Sequence, residues 1–476
     1  MMTSSSLSND EQRGIAWQAP TVNRRQVNYA TWVCFFAWIF AVYDFILFGT
    51  LLPRLGDHFG WSADEQTSIN TWVTLGTALV AFAVGPMVDR LGRRKGIIIA
   101  VAGAALCSGL TALAGWVVGL SAGLGYFLLI FIRSIAGLGY AEQSINATYL
   151  SELFSLVYKD PTSIKKRGFI FSLVQSGWTF GAVLTAALVA ILYPLGESWF
   201  GKGGGWVLSF LFAMFPAIVI AILGRNLVET PQFLTARRLL DLRKQGRVQE
   251  AKALSKTYNL EAQEDHHGGL SSALAIFKGD ALRPTIFLSL GVFLNWFAIM
   301  IFSILGTSVL GGSGDTPGKG VDFTSALGIL ILSNAIGVLG YIFHGWFGDR
   351  IGRRNAVGIG WLLGGVAFFL MLKAPHGSFW SIVPLYSMGV FFMNGAYSAL
   401  LFLMGESFAS HIRATAGLFA MAMGQVGAII VGFCITYTLG QGADWVQTAM
   451  YWGALPCTLS GILMFFVPHV DPKTVK

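Results

Sequence analysis

The stretch GPMVDRLGRRK, from Gly85 to Lys95, nearly recurs as GWFGDRIGRRN, from Gly345 to Asn355. Both copies place Gly, Asp-Arg, Gly and Arg-Arg at matching spacings, and each lies between two long apolar runs. A basic turn that returns once at so long a period marks a chain of two related halves. Any fold proposed for it must be built twice.

Composition decides what the halves are made of. Of the 476 residues, 54% are hydrophobic and only 12% charged, against about 25% charged in a soluble domain. A water-soluble core of ordinary shape cannot hide that much apolar surface. Crossing a bilayer as a helix takes about 20 mainly apolar residues. Segments of that kind fall near 29–52, 67–88, 96–117, 123–149, 168–193 and 206–224, then 284–308, 323–346, 355–373, 378–402, 414–438 and 445–468. The reading is an all-α membrane protein of twelve transmembrane helices in two six-helix bundles. It divides into a tail (1–28), a first bundle (29–224), a linker (225–283) with helical character around Leu239–Tyr258, a second bundle (284–468) and a short tail (469–476). No apolar stretch precedes a cleavage site near the start, so the first segment is expected to stay as an anchor. Gly177 and Gly181 form a GxxxG in the fifth segment, read as helix packing.

The basic residues orient the chain. With the amino terminus cytoplasmic, only Arg54, Lys202, Lys319 and Lys373 of the 32 Lys and Arg fall outside, and Arg133 lies within a segment. That asymmetry sets both termini and the linker on the cytoplasmic side of a cell membrane. It also accounts for the net charge of +8 as a topology signal, so no nucleic-acid partner is expected. The bilayer, a small molecule and a proton are the expected partners of a monomeric chain.

Several chemistries are excluded. SGDTPGKG, from Ser313 to Gly320, lacks the first Gly and the last Ser or Thr of a phosphate-binding loop. No HExxH, paired CxxC or GxSxG is present. Cys34, Cys107, Cys434 and Cys457 lie in apolar runs and read as small core residues. His266 and His267 sit among acidic residues of the linker and read as solvated loop. No cofactor, metal or enzymatic constellation is expected.

The duplicated turns resemble the signature loop of the major facilitator superfamily, between its second and third helices and at the equivalent place in its second half. RSIAGLGYA, from Arg133 to Ala141, is similar to that superfamily's fourth-helix pattern RxxxGxGxA. Glu152 with Arg167-Gly168, and Glu406 with Arg413 and Gly417, resemble its acidic–basic loops after helices four and ten. Glu229-Thr230-Pro231-Gln232-Phe233 resembles the PESPRWL segment of the sugar-transporter branch. Tyr43-Asp44-Phe45 with Leu47 and Gly49 resembles the YDFxLYG of metabolite:proton symporters, which mostly carry organic acids and zwitterionic osmolytes. Asn295 and Trp296 stand where the hexose branch usually shows paired glutamines. The segment from Leu153 to Lys166 is longer than the family's usual form.

Charges inside hydrocarbon are costly and mark a pathway or a partner. Asp44 in the first segment and Arg133 and Glu142 in the fourth are such charges. At 1.5 Å per residue, Asp44 lies about 12 Å below the outer end of its helix, and Arg133, on a helix running the other way, at roughly the same depth. They can pair, with Glu142 about two and a half turns deeper. All three are candidates for proton coupling, and a purely structural ion pair is the bland alternative. Arg133, Tyr43, Gln175, Trp178, Asn295, Trp296, Asn394 and Tyr397 are the substrate-contact candidates, the polar ones equally able to serve as bonds between helices. The gating candidates are Gly85, Asp89, Arg90, Gly92, Arg93 and Arg94 with Glu152 and Arg167, and Gly345, Asp349, Arg350, Gly352 and Arg353 with Glu406 and Arg413. Asp89 can sit at a helix N-terminus, where the dipole favours an anion. Arg93 and Arg94 are expected to meet acidic residues across the two halves.

The resemblance implies secondary active transport by alternating access, here the proton-coupled symport of a small organic anion, a carboxylate or sugar acid. Sugars, polyols and zwitterions are the next substrates, and a membrane sensor or an integral membrane enzyme are rival classes. The charge asymmetry makes one prediction. In whole cells, an impermeant thiol reagent should miss cysteines placed at Ser4 and Glu264 and reach one at Ser313. Labelling at 264 with none at 313 would overturn the topology.

Overall fold

The computed structural model describes residues 19–120, 122–158, 170–171, 173–257, 274–408 and 412–469. Ser4, Arg167, Gly168, His266 and His267 lie outside them. Twelve crossings form two bundles of six. Nine described helices are long and apolar enough to cross by themselves. The second crossing is Ala63–Leu91. The fourth is built from Ala122–Ala136 and Leu138–Val157. The twelfth joins Trp445–Ala449, a π-helical turn Met450–Ala454 and Leu455–Met464.

Local chemistry sets the helix starts. Asn23 and Gln26 exchange hydrogen bonds of 2.9 Å at the head of the first span, Arg24–Phe59. Ser62 and Glu65 do the same for the second. Asp322 accepts from the Ser325 amide at 3.0 Å, starting the eighth span, Phe323–Ile351. Each satisfies amides a helix start leaves open. Gly177 and Gly181 let the fifth span, Gly177–Phe200, meet the first, since a Cβ at Gly181 would lie 2.7 Å from the Ile39 carbonyl oxygen.

Duplication persists at atomic detail. Gly92 and Gly352 end the second and eighth spans with φ of 100° and 90°, a backbone that favours glycine. A Cβ on either would strike a residue that follows the last span of its own half, Glu229 or His469. Arg93 pairs with Glu152 at 3.3 Å, and Arg353 lies 3.6 Å from Glu406. Arg94 donates to the Arg225 carbonyl, and Arg354 to the Val467 carbonyl at 3.2 Å. The two signature turns are therefore one clasp made twice.

The halves meet where the fifth span packs on the eighth, the second on the eleventh (Arg413–Gly440) and the first on the seventh. The contacts gather toward the face opposite the termini. There Thr307 donates to the Thr50 carbonyl at 3.0 Å and Thr436 to Thr67 at 3.2 Å, and the Arg54 guanidinium lies 4.5 Å from the Phe323 ring centre. Leu418 of the eleventh span, toward the termini face, is exposed.

Two segments add detail to the sequence reading. The linker carries two helices, Pro231–Lys244, capped by Thr230, and Val248–Thr257, parted at Gly246. The 313–320 stretch forms a hairpin, with Gly312–Ser313 paired to Thr316–Pro317. Ser313 is buried there under the Trp445 indole N–H at 2.9 Å, so the exposed Asp315 is the better place for a label. The Lys319 side chain is fully buried, and its ammonium donates to the carbonyls of Leu372 and Ala374, closing the end of the ninth span, Arg353–Lys373. Lys319→Met leaves those acceptors unpaired and is expected to cost about 1–3 kcal/mol. A thermal melt of the purified variant that matches the parent would show that the lysine holds nothing.

Candidate functional site

Asp44 and Arg133 meet in the first bundle. Arg133 Nη1 lies 3.2 Å from Asp44 Oδ1, and Nη2 donates to the Asp44 carbonyl at 3.0 Å. Ser108 of the third span, Arg93–Leu120, donates to the same carboxylate oxygen. The Phe48 and Phe210 rings flank the guanidinium, each 5.5 Å away. Both charged side chains are almost fully buried, so each depends on the other. Ser108 was not anticipated, because a hydroxyl in an apolar helix carries no distinguishing signal.

Glu142 stands apart from that pair, fully buried one turn before Asn146. The amide of Asn146 is committed to the Cys34 carbonyl at 2.8 Å.

Between the halves lies a cavity with about 480 Å³ of empty space. Gln175 and Trp178 of the fifth span line it with Trp296 of the seventh and Asn394 and Tyr397 of the tenth. Trp178 and Trp296 face each other edge to face with ring centres 6.3 Å apart. Gln143 and Tyr341 complete the wall and were missed by the sequence reading. Gln143 bonds Gln175 at 3.1 Å, and as a polar residue inside a crossing it offered the same signal as Gln175 did. Asn394 is 1% exposed, and its amide nitrogen has no acceptor.

Three substrate-contact candidates are placed elsewhere. Asn295 sits behind the wall, accepting from Tyr397 at 2.9 Å. Tyr43 turns away, its hydroxyl 3.3 Å from the Ser209 carbonyl of the sixth span, Gly204–Gly224. Arg133 lines a second, smaller cavity instead. A helix fixes depth by position along the chain, but neighbours the sequence does not name decide which way a side chain turns.

The clasp at the signature turns is closed within each half. Glu229 accepts from the amides of Arg93 at 3.1 Å, Arg94 at 3.2 Å and Thr230 at 3.1 Å. It therefore occupies the N-terminus of the third span; the Asp89 side chain, expected at a neighbouring helix's N-terminus, lies outside the described atoms. Burial pushes the Glu229 carboxyl above the usual range, opposed by those amides and by Arg93. Arg93 and Arg94 find these partners in their own half. Asp349 pairs with Arg353, Arg350 lies over the Trp346 ring at 4.2 Å, and Arg413 donates to the Phe408 carbonyl at 3.3 Å. Arg90 is exposed on the second span, while Gly85 lies in that helix and Gly345 in the eighth. Among the described residues no cluster of His, Cys, Asp or Glu could hold a metal ion.

Comparison with known proteins fits this architecture. The chain is 24% identical over 425 residues to the gentisate transporter of Corynebacterium glutamicum, covering 86% of this chain and 82% of that one. It is 24% identical over 450 residues to the 4-hydroxybenzoate transporter of Pseudomonas aeruginosa, covering 92% of each. The solved inward-open xylose transporter XylE from E. coli superposes with a TM-score of 0.68 at 18% identity, over 94% of this chain and 97% of that one. The sequence model of the Major Facilitator Superfamily matches residues 34–432. The chain belongs to the Major Facilitator Superfamily, as a multi-pass membrane transporter.

Proposed function

We propose that the protein is a proton-coupled symporter for a small organic anion built on a flat ring, an aromatic carboxylate. The observation that carries this reading is the cavity between the halves, walled by Trp178, Trp296, Tyr341 and Tyr397. Aromatic walls favour a ring, by edge and face contacts. The free amide of Asn394 supplies a donor for a carboxylate or hydroxyl oxygen. The names of the relatives, gentisate and 4-hydroxybenzoate, support the same class. A sugar is the second reading, favoured by the amides of Gln143, Gln175 and Asn394 on that wall.

In this account the termini and linker are cytoplasmic, and the cavity is closed toward the outside. Transport rocks one half against the other around the cavity. Asp44 takes and releases the proton, and Arg133 holds it in place. Glu142 is the reserve carboxylate. The clasps formed by Gly92, Arg93 and Glu152, and by Gly352, Arg353 and Glu406, hold the ends of each bundle as the halves move.

An uptake screen of aromatic carboxylates, sugar acids, sugars and betaines in vesicles tests the substrate class. Trp296→Ala is expected to weaken an aromatic acid about tenfold or more and Asn394→Leu similarly; preference for a sugar over every ring acid would sink the reading. Asp44→Asn should abolish accumulation against a gradient yet permit exchange between loaded pools, and Arg133→Lys should restore only part of what Arg133→Ala loses, because the planar fork is gone. Full proton-driven accumulation by Asp44→Asn would pass the coupling role to Glu142. For the clasps, Asp89→Asn and Glu229→Gln should slow transport while equilibrium substrate affinity stays within about twofold. Lost affinity at an unchanged exchange rate would count against gating.

A further inference from the structure

The second cavity has about 380 Å³ of empty space and shares no lining residue with the aromatic one. Phe45 and the seventh span stand between them. The Phe45 ring lies 6.1 Å from Trp178 of the first cavity and itself lines the second. The π-helical turn Ile299–Ile304 lines the aromatic cavity with its first residue and the second cavity with its last. Turns of this kind are often found at functional sites.

The polar lining of this chamber is Arg133, Asn70, Thr74 and Thr77. Arg133 is 3% exposed, and among the described residues its Nε–H has no acceptor. Among the described residues, the Asn70 amide meets the sulfur of Met300 at 3.5 Å. Thr74 donates to the Asn70 carbonyl at 2.8 Å, and Thr77 is almost fully buried. The named lining therefore brings a guanidinium and short polar groups, and no carboxylate is among it. A buried donor without an acceptor costs stability, and a small acceptor in the chamber would remove that cost.

We propose that this chamber is a binding site for a small inorganic anion of halide size, held by Arg133 together with Asn70 and Thr77. Asp44 controls it. While Asp44 is charged, its carboxylate satisfies the other edge of the guanidinium, and an incoming anion meets a like charge across it. When Asp44 is neutral, Arg133 is left as an uncompensated cation and the anion replaces the lost charge. Among the described residues, the titratable groups coupled to the Asp44–Arg133 pair are Tyr43 of the first span, which faces Asp44, and Cys107 of the third, which faces both. The second, sixth and seventh spans present Asn70, Thr74, Thr77, Phe210 and Ile304. Neither the site nor its dependence on the Asp44 charge rests on the proton-coupling reading.

Thermal unfolding of the full purified chain, titrated with sodium bromide against sodium gluconate at constant ionic strength, tests the site. The parent should show saturable stabilisation by bromide beyond gluconate. Thr77→Val and Asn70→Leu should weaken bromide about tenfold, and Asp44→Asn should bind it about tenfold more tightly. Equal responses to bromide and gluconate in the parent overturn the proposal, and so does an Asp44→Asn affinity no higher than the parent's. If Asp44→Asn loses accumulation with bromide affinity unchanged, the anion site fails and the coupling role of Asp44 stands. If bromide binds as expected while Asp44→Asn still accumulates substrate, the site stands and the coupling role fails.

Discussion

A charge held inside hydrocarbon needs a partner, and the contact between Asp44 and Arg133 is where this protein meets that demand. Each side chain alone would be a buried, uncompensated ion, and removing one partner of such a pair typically costs about 3–5 kcal/mol. Ser108 and the Asp44 carbonyl complete the pair, so the first, third and fourth spans are fixed relative to one another. The same dependence makes the pair responsive. Neutralising the carboxylate changes what the guanidinium must bind, and Ile304 of the other half lines the same cavity.

Around that pair the chain repeats itself. A positive-φ glycine ends the second span of each half, an arginine after it reaches an acidic residue at the end of the fourth, and the next arginine closes on a carbonyl after the sixth. Each bundle is thereby tied at the termini face by its own polar contacts. Contacts between bundles, such as Thr307 with Thr50 and Thr436 with Thr67, gather at the other face. Rigid halves with an interface that can open and close are what rocking requires.

The twelve crossings and the duplicated turn were legible because their signals are one-dimensional, in run length, charge and repeat. The Asp44–Arg133 contact was legible because depth along a helix is also one-dimensional. Tyr43 and Asn295 were misplaced because rotation about a helix axis is set by neighbours distant in sequence, Ser209 for one and Tyr397 for the other. Glu229 was not foreseen at the N-terminus of the third span because the linker folds back under it, a contact spanning more than a hundred residues. Gln143 and Tyr341 were overlooked beside a more conspicuous Glu142.

The central claim is that substrate and proton enter together through a carboxylate in the first span. The most direct measurement is the proton uptake triggered by adding an aromatic carboxylate to weakly buffered vesicles that hold the protein, read with a pH-sensitive dye. The account predicts alkalinisation outside in step with substrate entry for the parent, and none for Asp44→Asn. Substrate-dependent proton movement of undiminished size in Asp44→Asn would contradict it.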